Sequence, residues 1–373
     1  MQSPLPLADS DLLAWIADPY REWSQRFPRR RAFGYLCTYA PLELLHAAGF
    51  APVRIMQSSG VLALAEAHLP TFSCALARTT TEQMLRGKLD FLDGVLFTHT
   101  CDTLQCLADI WRLAAARFPV LTFSLPTVLE GEAARIYLLA ELQRLVDTLE
   151  ATFGVRITPN QVRASIAPYN LQRRLLAELY ARVEHLSALQ VWSLSTVGML
   201  LPVEEHNALL QRFLDSLPKA TRHPRSGPAL LAVGAIVDDP LVPRLIDELG
   251  ARLVSDDLCT GSRCWDTLVD EEGDPLSALA NRYVRRAPCP AKHAPGQSRE
   301  ERLLGLVRTK GVQGVVFVQL KFCDPHAFDY VPLSQALDAA GVPHLLLESD
   351  ASVSAGQVRT RLQAFVEMLG SGR

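Results

Sequence analysis

Short apolar runs alternate with helical hydrophobic periods in two separate stretches of this chain, and that alternation restricts the folds it can adopt. Apolar runs bounded by turn residues are typical of buried strands, and the amphipathic segments between them are typical of covering helices. The pattern predicts an α/β fold with parallel sheets. The predicted strands are residues 32–36, 53–56, 94–98 and 120–124 in the first stretch, and 230–237, 252–255, 314–319 and 344–347 in the second.

The segment between the two stretches has a different character. Residues 131–217 show helical periods without a strand pattern, and Thr158-Pro159 predicts a helix start with threonine as N-cap. The sequence KATRHPRSGP at 219–228 is basic and rich in proline, which indicates a boundary. We predict an N-terminal α/β domain with a leading helix (1–130), a helical segment and linker (131–225) and a C-terminal α/β domain (226–373).

Charge and motif content exclude several functions. A net charge of -3 gives no electrostatic basis for binding nucleic acid. No apolar run approaches the roughly 18 residues that span a bilayer, and the first residues lack a signal-peptide pattern, so we expect a cytoplasmic protein. GxGxxG, Walker A and HExxH motifs are absent from the sequence, so neither nucleotide binding nor zinc hydrolysis by this chain is expected.

The chain has eight cysteines, and their positions follow the predicted strands. Four come just after a strand, and they form two pairs that are each 64 residues apart: Cys37 with Cys101, and Cys259 with Cys323. Ligands bind outside the carboxyl ends of strands in open parallel sheets, so these thiols are expected at a binding site. The other four are Cys74 and Cys289, in predicted loops, and Cys106 and Cys264, each five residues after a strand-end cysteine.

Three interpretations of the cysteines remain open from the residues alone. Cysteine is often a small buried apolar residue, and this applies best to Cys106, in a helical pattern, and to Cys264. Structural zinc favours short CxxC pairs, and the sequence has none. Widely spaced thiolates around one cleft fit an iron–sulfur cluster better.

Several polar residues near the cysteines have both an ordinary and a functional interpretation. Asp102 and Asp324 directly follow cysteines and are expected to cap helices, with tuning of a cluster as the alternative. Three histidines are loop residues or proton donors: His99, His293 and His326. Glu43 complements a helix dipole or acts as a base, and Arg263 and Lys321 are solvated charges or contacts of a ligand's phosphate group.

Seven ordered segments resemble one known family. They are GYLCTYAPLELLHAAGFAPVRI, LPTFSCALAR, THTCDTLQCLADIWR, SDDLCTGSR, APCPAKH, QLKFCDPHAFDYVPL and GQVRTRLQAFVEML. Together they resemble the 2-hydroxyacyl-CoA dehydratase and benzoyl-CoA reductase superfamily from about residue 31 to residue 369. The resemblance implies two Rossmann-like (flavodoxin-like) parallel-sheet domains with a helical insertion.

The resemblance also implies a cofactor and partners. It implies a [4Fe-4S] cluster on Cys74, Cys101 and Cys323, reduced by a separate ATP-hydrolysing iron–sulfur activator and acting on an acyl-CoA substrate. The chain would pair with itself or with a paralogue. The family also contains double-cubane [8Fe-9S] reductases of small molecules. The positions of their six cysteines resemble those of Cys74, Cys101, Cys323, Cys37, Cys259 and Cys289. Acyl-CoA chemistry ranks first, the double cubane second, and a non-catalytic electron-relay or scaffold protein third.

Overall fold

The computed structural model describes residues 9–58, 60–114, 117–218, 226–349 and 354–371. It contains two four-stranded sheets in which all paired strands are parallel. The first sheet consists of β1 (Ala32–Tyr35), β2 (Ala51–Arg54), β3 (Gly94–His99) and β4 (Val120–Ser124); the second consists of β5 (Ala229–Gly234), β6 (Arg252–Leu258), β7 (Gly314–Leu320) and β8 (His344–Ser349). Their orders, β2-β1-β3-β4 and β6-β5-β7-β8, have the same topology, which is that of flavodoxin-like sheets. The predicted fold class is confirmed.

Two strands end two or more residues earlier than the sequence predicts. β2 ends at Arg54 and β5 ends at Gly234, whereas the apolar runs continue to Met56 and Val237. Most of both extensions is buried although they lie outside the strands, including Met56 and Val237. The N–H groups of Ile55 and Ala235 still donate to carbonyl oxygens of the neighbouring strands. Apolar character reports burial, and burial continues past the last paired residue of each strand.

Fourteen helices surround the sheets within the described residues. Those of the N-terminal part are α1 (Asp9–Ala17), α2 (Pro19–Arg26), α3 (Leu42–Ala47), α4 (Ala75–Leu85) and α5 (Asp102–Leu113). The middle helices are α6 (Gly131–Phe153), α7 (Pro159–Ala181), α8 (Ala188–Val197) and α9 (Val203–Ser216). The C-terminal helices are α10 (Leu241–Glu248), α11 (Pro275–Arg285), α12 (Arg299–Lys310), α13 (Asp324–Ala339) and α14 (Ala355–Ser371). None of them is long and apolar enough to cross a membrane.

The middle helices join the two sheets. Thr158 and Gln161 form a reciprocal capping box at the start of α7, which confirms the helix start predicted there. A single buried apolar cluster contains Phe97 of the first sheet, Trp192 of α8 and Leu230 of the second sheet. The predicted domain limits remain predictions, and residues 219–225 of the predicted linker lie outside the described residues.

Candidate metal centre

Three cysteines stand at the first turn of a helix. Cys74, Cys101 and Cys323 are the N-cap residues of α4, α5 and α13. In the described part of the chain, none of the three sulfurs forms a side-chain cap hydrogen bond, but backbone N–H groups of the following turn act on each thiol to lower its pKa, and these belong to Leu76, Ala77, Leu104 and His326. Those N–H groups have no partner inside the helix and carry the positive end of its dipole, so each helix start favours a thiolate. We call these three cysteines the first trio.

The other three predicted ligands have different surroundings, and we call them the second trio. Cys37 follows β1 and Cys259 follows β6, as predicted, while Cys289 lies in the loop after α11. Arg263 Nη2 donates to Cys259 Sγ at 3.3 Å. Cys37 Sγ accepts from Thr100 Oγ1 at 3.7 Å, and Cys289 Sγ accepts from the amide of Ala291 at 3.5 Å.

The two trios lie together. Charge on Cys101 interacts with Cys74 of its own trio and with Cys37 and Cys289 of the other. Charge on Cys323 interacts with Cys74, Cys101 and Cys259. Thiols from both sheets therefore converge on one place, as the rule for the carboxyl ends of parallel strands predicts.

Burial raises the pKa of five of these thiols, which keeps them protonated in the absence of a metal. It raises the pKa of Cys101 and of Cys289 to about 12, and it raises those of Cys74, Cys259 and Cys323 as well. Because only a thiolate ligates metal, binding has to release protons from this site. We expect metal uptake to become weaker as the pH falls.

Buried cations surround the second trio. Arg263 is 4% exposed, and its Nε and Nη1 have no hydrogen-bond partner within the part of the chain that the structure describes, nor has Nε of Arg286. Lys292 Nζ donates to two carbonyl oxygens, those of Leu125 at 3.1 Å and His99 at 3.4 Å. Buried donors without acceptors are costly, and an anionic group would satisfy them. Six thiols among such cations fit a thiolate-ligated, negatively charged metal cluster.

The site does not fit a single metal ion. Among the residues that the structure describes, no three His, Cys, Asp or Glu side chains come close enough together to ligate one ion. Charges on the six sulfurs nevertheless interact electrostatically within and between the two trios. In a multi-iron cluster different irons bind different thiolates, which separates the sulfurs. Six interacting thiols without a three-ligand group for one ion among the described side chains fit a cluster better than zinc.

The remaining two cysteines, Cys106 and Cys264, were expected to be structural. The thiol of Cys264 donates to the carbonyl oxygen of Cys259 at 2.8 Å, which is a structural role, as expected. Cys106 lies in α5, as predicted, but its side chain is exposed, so the expectation that it packs in the core is wrong. Cys106 points away from the buried face of α5, which consists of Leu104, Leu107, Ala108 and Trp111.

The aspartates and histidines predicted near the cysteines differ in how close they lie to the thiols. Asp102 and Asp324 were expected to be N-caps, but the cysteines themselves occupy the caps and the aspartates are the first helical residues, where they complement the dipole. Among the three histidines, His326 contacts Cys323, with Nδ1 3.4 Å from Sγ. His99 pairs with Ser124 at 3.2 Å, and the side chain of His293 is exposed.

Glu43 forms a buried ion pair with Arg173. Burial alone would raise the pKa of Glu43, but the charges of Arg173 and Arg282 together with the Arg173 hydrogen bond hold it below its ordinary value. This carboxylate is fully engaged, which argues against a role as a general base.

A small cavity lies beside Cys264, between the first sheet, α7 and α11. Its volume is about 50 Å³, which is room for a few water molecules or a short acyl group. Tyr35, Tyr169 and Arg282 are among its lining residues. Arg282 donates to the carbonyl oxygens of Thr267 and Cys264, and burial lowers its pKa to about 9. Sequence reasoning missed this cavity because its walls come from segments far apart in the chain.

The chain is similar to known proteins over most of its length. The sequence pattern of the family described as "2-hydroxyglutaryl-CoA dehydratase, D-component" matches residues 37–369. The chain is 27% identical to the (R)-phenyllactyl-CoA dehydratase beta subunit of Clostridium sporogenes, over 91% of this chain and 92% of that protein. It is 30% identical to the beta subunit of lactoyl-CoA dehydratase from Anaerotignum propionicum, over 91% of each chain. It is 29% identical to a benzoyl-CoA reductase subunit of Thauera aromatica, over 87% of each chain.

Proposed function

Since the chain belongs to the 2-hydroxyglutaryl-CoA dehydratase D-component family, we propose that it is the iron–sulfur component of a low-potential dehydratase or reductase acting on acyl-CoA thioesters. The observation that carries the proposal is the convergence of Cys74, Cys101 and Cys323 from three helix starts. In this proposal the first trio holds a [4Fe-4S] cluster. Bound there, such a cluster supplies one electron at a time at low potential.

The chain's own residues would prepare the site for that group. The N–H groups at the starts of α4, α5 and α13 stabilise the three thiolates, and burial of the site excludes water. Three ligands leave one position of a four-iron cluster without a protein thiolate. The cavity beside Cys264, with Arg282 and Tyr169 in its walls, is a candidate for an acyl group.

We further propose that the chain works with partners. The relatives are named as single subunits of larger enzymes, which supports a dimer with a paralogous subunit or with a second copy. The sequence has no nucleotide-binding motif, so ATP hydrolysis is assigned to a separate iron–sulfur activator.

Turnover tests this proposal. The chain, its paralogous subunit and an activator are purified without oxygen and mixed with ATP and 2-hydroxyacyl-CoA thioesters or benzoyl-CoA, and products are measured by mass spectrometry. We expect ATP-dependent loss of water from a hydroxyacyl group or reduction of the ring. Cys101→Ser should abolish it, whereas Cys106→Ser, five residues along the same helix, should not. Full activity of Cys101→Ser would contradict the proposal.

A second candidate function has its own supporting observation. Cys37, Cys259 and Cys289 interact electrostatically with the first trio, and buried cations surround them. Six converging thiols are the number that a double cubane would need. Such a protein would be a homodimer that reduces small molecules and would need no CoA thioester. Activity on a small oxidant such as azide or acetylene, without CoA thioester turnover, would favour this second function.

A further inference from the structure

A chain of three contacts connects the two trios. Cys323 Sγ lies 3.4 Å from His326 Nδ1, and His326 Nε2 lies 3.4 Å from Arg263 Nη2. The same Nη2 lies 3.3 Å from Cys259 Sγ. Sulfur atoms of Cys323, in the first trio, and Cys259, in the second, are thus linked through one imidazole and one guanidinium.

A hydrogen bond between Arg263 and His326 can run in one direction only. A guanidinium has only donors, so Nε2 of His326 takes part in this contact as the acceptor, and its alternative is to donate to the carbonyl oxygen of Gly234. An imidazole whose Nε2 accepts carries its hydrogen on Nδ1. That N–H therefore points at the sulfur of Cys323. An N–H group directed at a ligand sulfur stabilises added negative charge on a cluster, which raises its reduction potential.

Arg263 is held rigidly enough to impose this arrangement. Its Nη2 also donates to the carbonyl oxygen of Gly234 at the end of β5, and its Nη1 lies 3.9 Å from the carboxylate of Asp257 in β6. Its own carbonyl oxygen accepts from Arg286 at 2.8 Å. The guanidinium is therefore anchored to the second sheet and does not depend on His326 for its position.

We propose that Arg263 and His326 are positioning residues of the metal centre: Arg263 fixes His326 as the Nδ1–H tautomer, and His326 directs that hydrogen to the Cys323 sulfur. The effect on a cluster rests on the proposed function. The tautomer itself is a property of the chain alone, so the two parts are tested separately.

The tautomer is measured on the full chain without iron, kept reduced and labelled with ¹⁵N in its histidines. The His326 ring signals are assigned by their loss in His326→Gln. We expect a protonated Nδ1 and an unprotonated Nε2 in the parent and in Arg263→Lys, which keeps a donor. Arg263→Met removes the donor and should shift His326 toward the Nε2–H form. A protonated Nε2 in the parent, donating to the Gly234 carbonyl oxygen instead, would overturn the proposal whether or not Arg263→Met folds.

The electronic effect is measured as the reduction potential of the iron-loaded protein. His326→Ala should shift the potential to more negative values without lowering the iron content, whereas His293→Ala, which removes an exposed histidine, should leave it unchanged. An unchanged potential in His326→Ala would overturn the positioning role. A parent chain that takes up no iron would instead contradict the proposed function, and the tautomer would still decide the hydrogen-bonding arrangement.

Discussion

Arg54 at the end of β2 and Asp238 after β5 form a two-point ion pair between the two halves of the molecule, with N–O distances of 2.5 and 3.1 Å. Both side chains are buried. Asp238 also accepts from the amide of Gln57 at 2.9 Å, and Arg54 Nε donates to the carbonyl oxygen of Leu36 at 3.4 Å. Because Leu36 precedes Cys37, this pair helps to set the relative position of the two sheets beside the metal centre.

Breaking that pair should be costly. Asp238→Ala leaves a buried guanidinium without its counter-charge, and we expect the free energy of unfolding to fall by about 3–5 kcal/mol. Glu248→Ala, which breaks the exposed pair with Arg359, should cost less than about 1 kcal/mol. Urea denaturation of the two variants checks this, and equal costs would contradict a role of the buried pair in fixing the two sheets.

His206 should make stability depend on pH. It is fully buried, Nε2 donates to the carbonyl oxygen of Leu194 at 2.9 Å, and burial lowers its pKa to about 4 from an ordinary value of 6.5. Between these values the unfolded chain binds a proton that the folded chain does not, so stability falls as the pH drops through this window. The loss should reach about 3 kcal/mol.

The comparison that isolates this effect is His206→Gln, which keeps an amide donor and cannot be protonated. Relative to the variant, the parent should lose stability in urea unfolding between pH 7 and about pH 4.5. His293→Gln, at an exposed position, should follow the parent. Parallel pH profiles of parent and His206→Gln would show that His206 is protonated in the folded state or reaches solvent.

The start of α7 offers a local test. Thr158 Oγ1 accepts from the amide of Gln161 at 3.3 Å, and Gln161 Oε1 accepts from the amide of Thr158 at 2.8 Å. Thr158→Ala should lower the free energy of unfolding by about 1 kcal/mol, whereas Thr158→Ser should retain most of it. Chemical denaturation measures the free energy of unfolding of both variants. If Thr158→Ser is as unstable as Thr158→Ala, the cap hydroxyl contributes nothing.

The strands and the cysteines that follow them could be located from the sequence because both depend on local signals. An apolar run predicts a strand such as β3, and topology brings the residue after it, Cys101, to the shared edge. The error at Asp102 has a local cause as well. The helix begins directly at the aspartate, so Cys101 itself is the cap.

Long-range partners could not be predicted in this way. Arg54 and Asp238 are 184 residues apart, and Arg263 and His326 are 63 apart. Nothing in the sequence around either residue indicates which opposite charge or ring it meets. Periodicity also did not reveal the exposure of Cys106, since a one-position error in helical phase moves a side chain from the buried face to solvent.

The most direct test of the proposed metal centre is the amount of iron and acid-labile sulfide per chain in anaerobically purified protein. We expect about four irons in the parent, retained in Cys106→Ser and lost in Cys101→Ser. If Cys37→Ser and Cys289→Ser keep the iron content of the parent, a single cluster is supported. If the parent holds about eight irons per chain and both variants hold fewer, the double cubane is supported. A parent without iron after reconstitution, or Cys101→Ser with the full parental amount, would contradict the central claim that the first trio holds an iron–sulfur cluster.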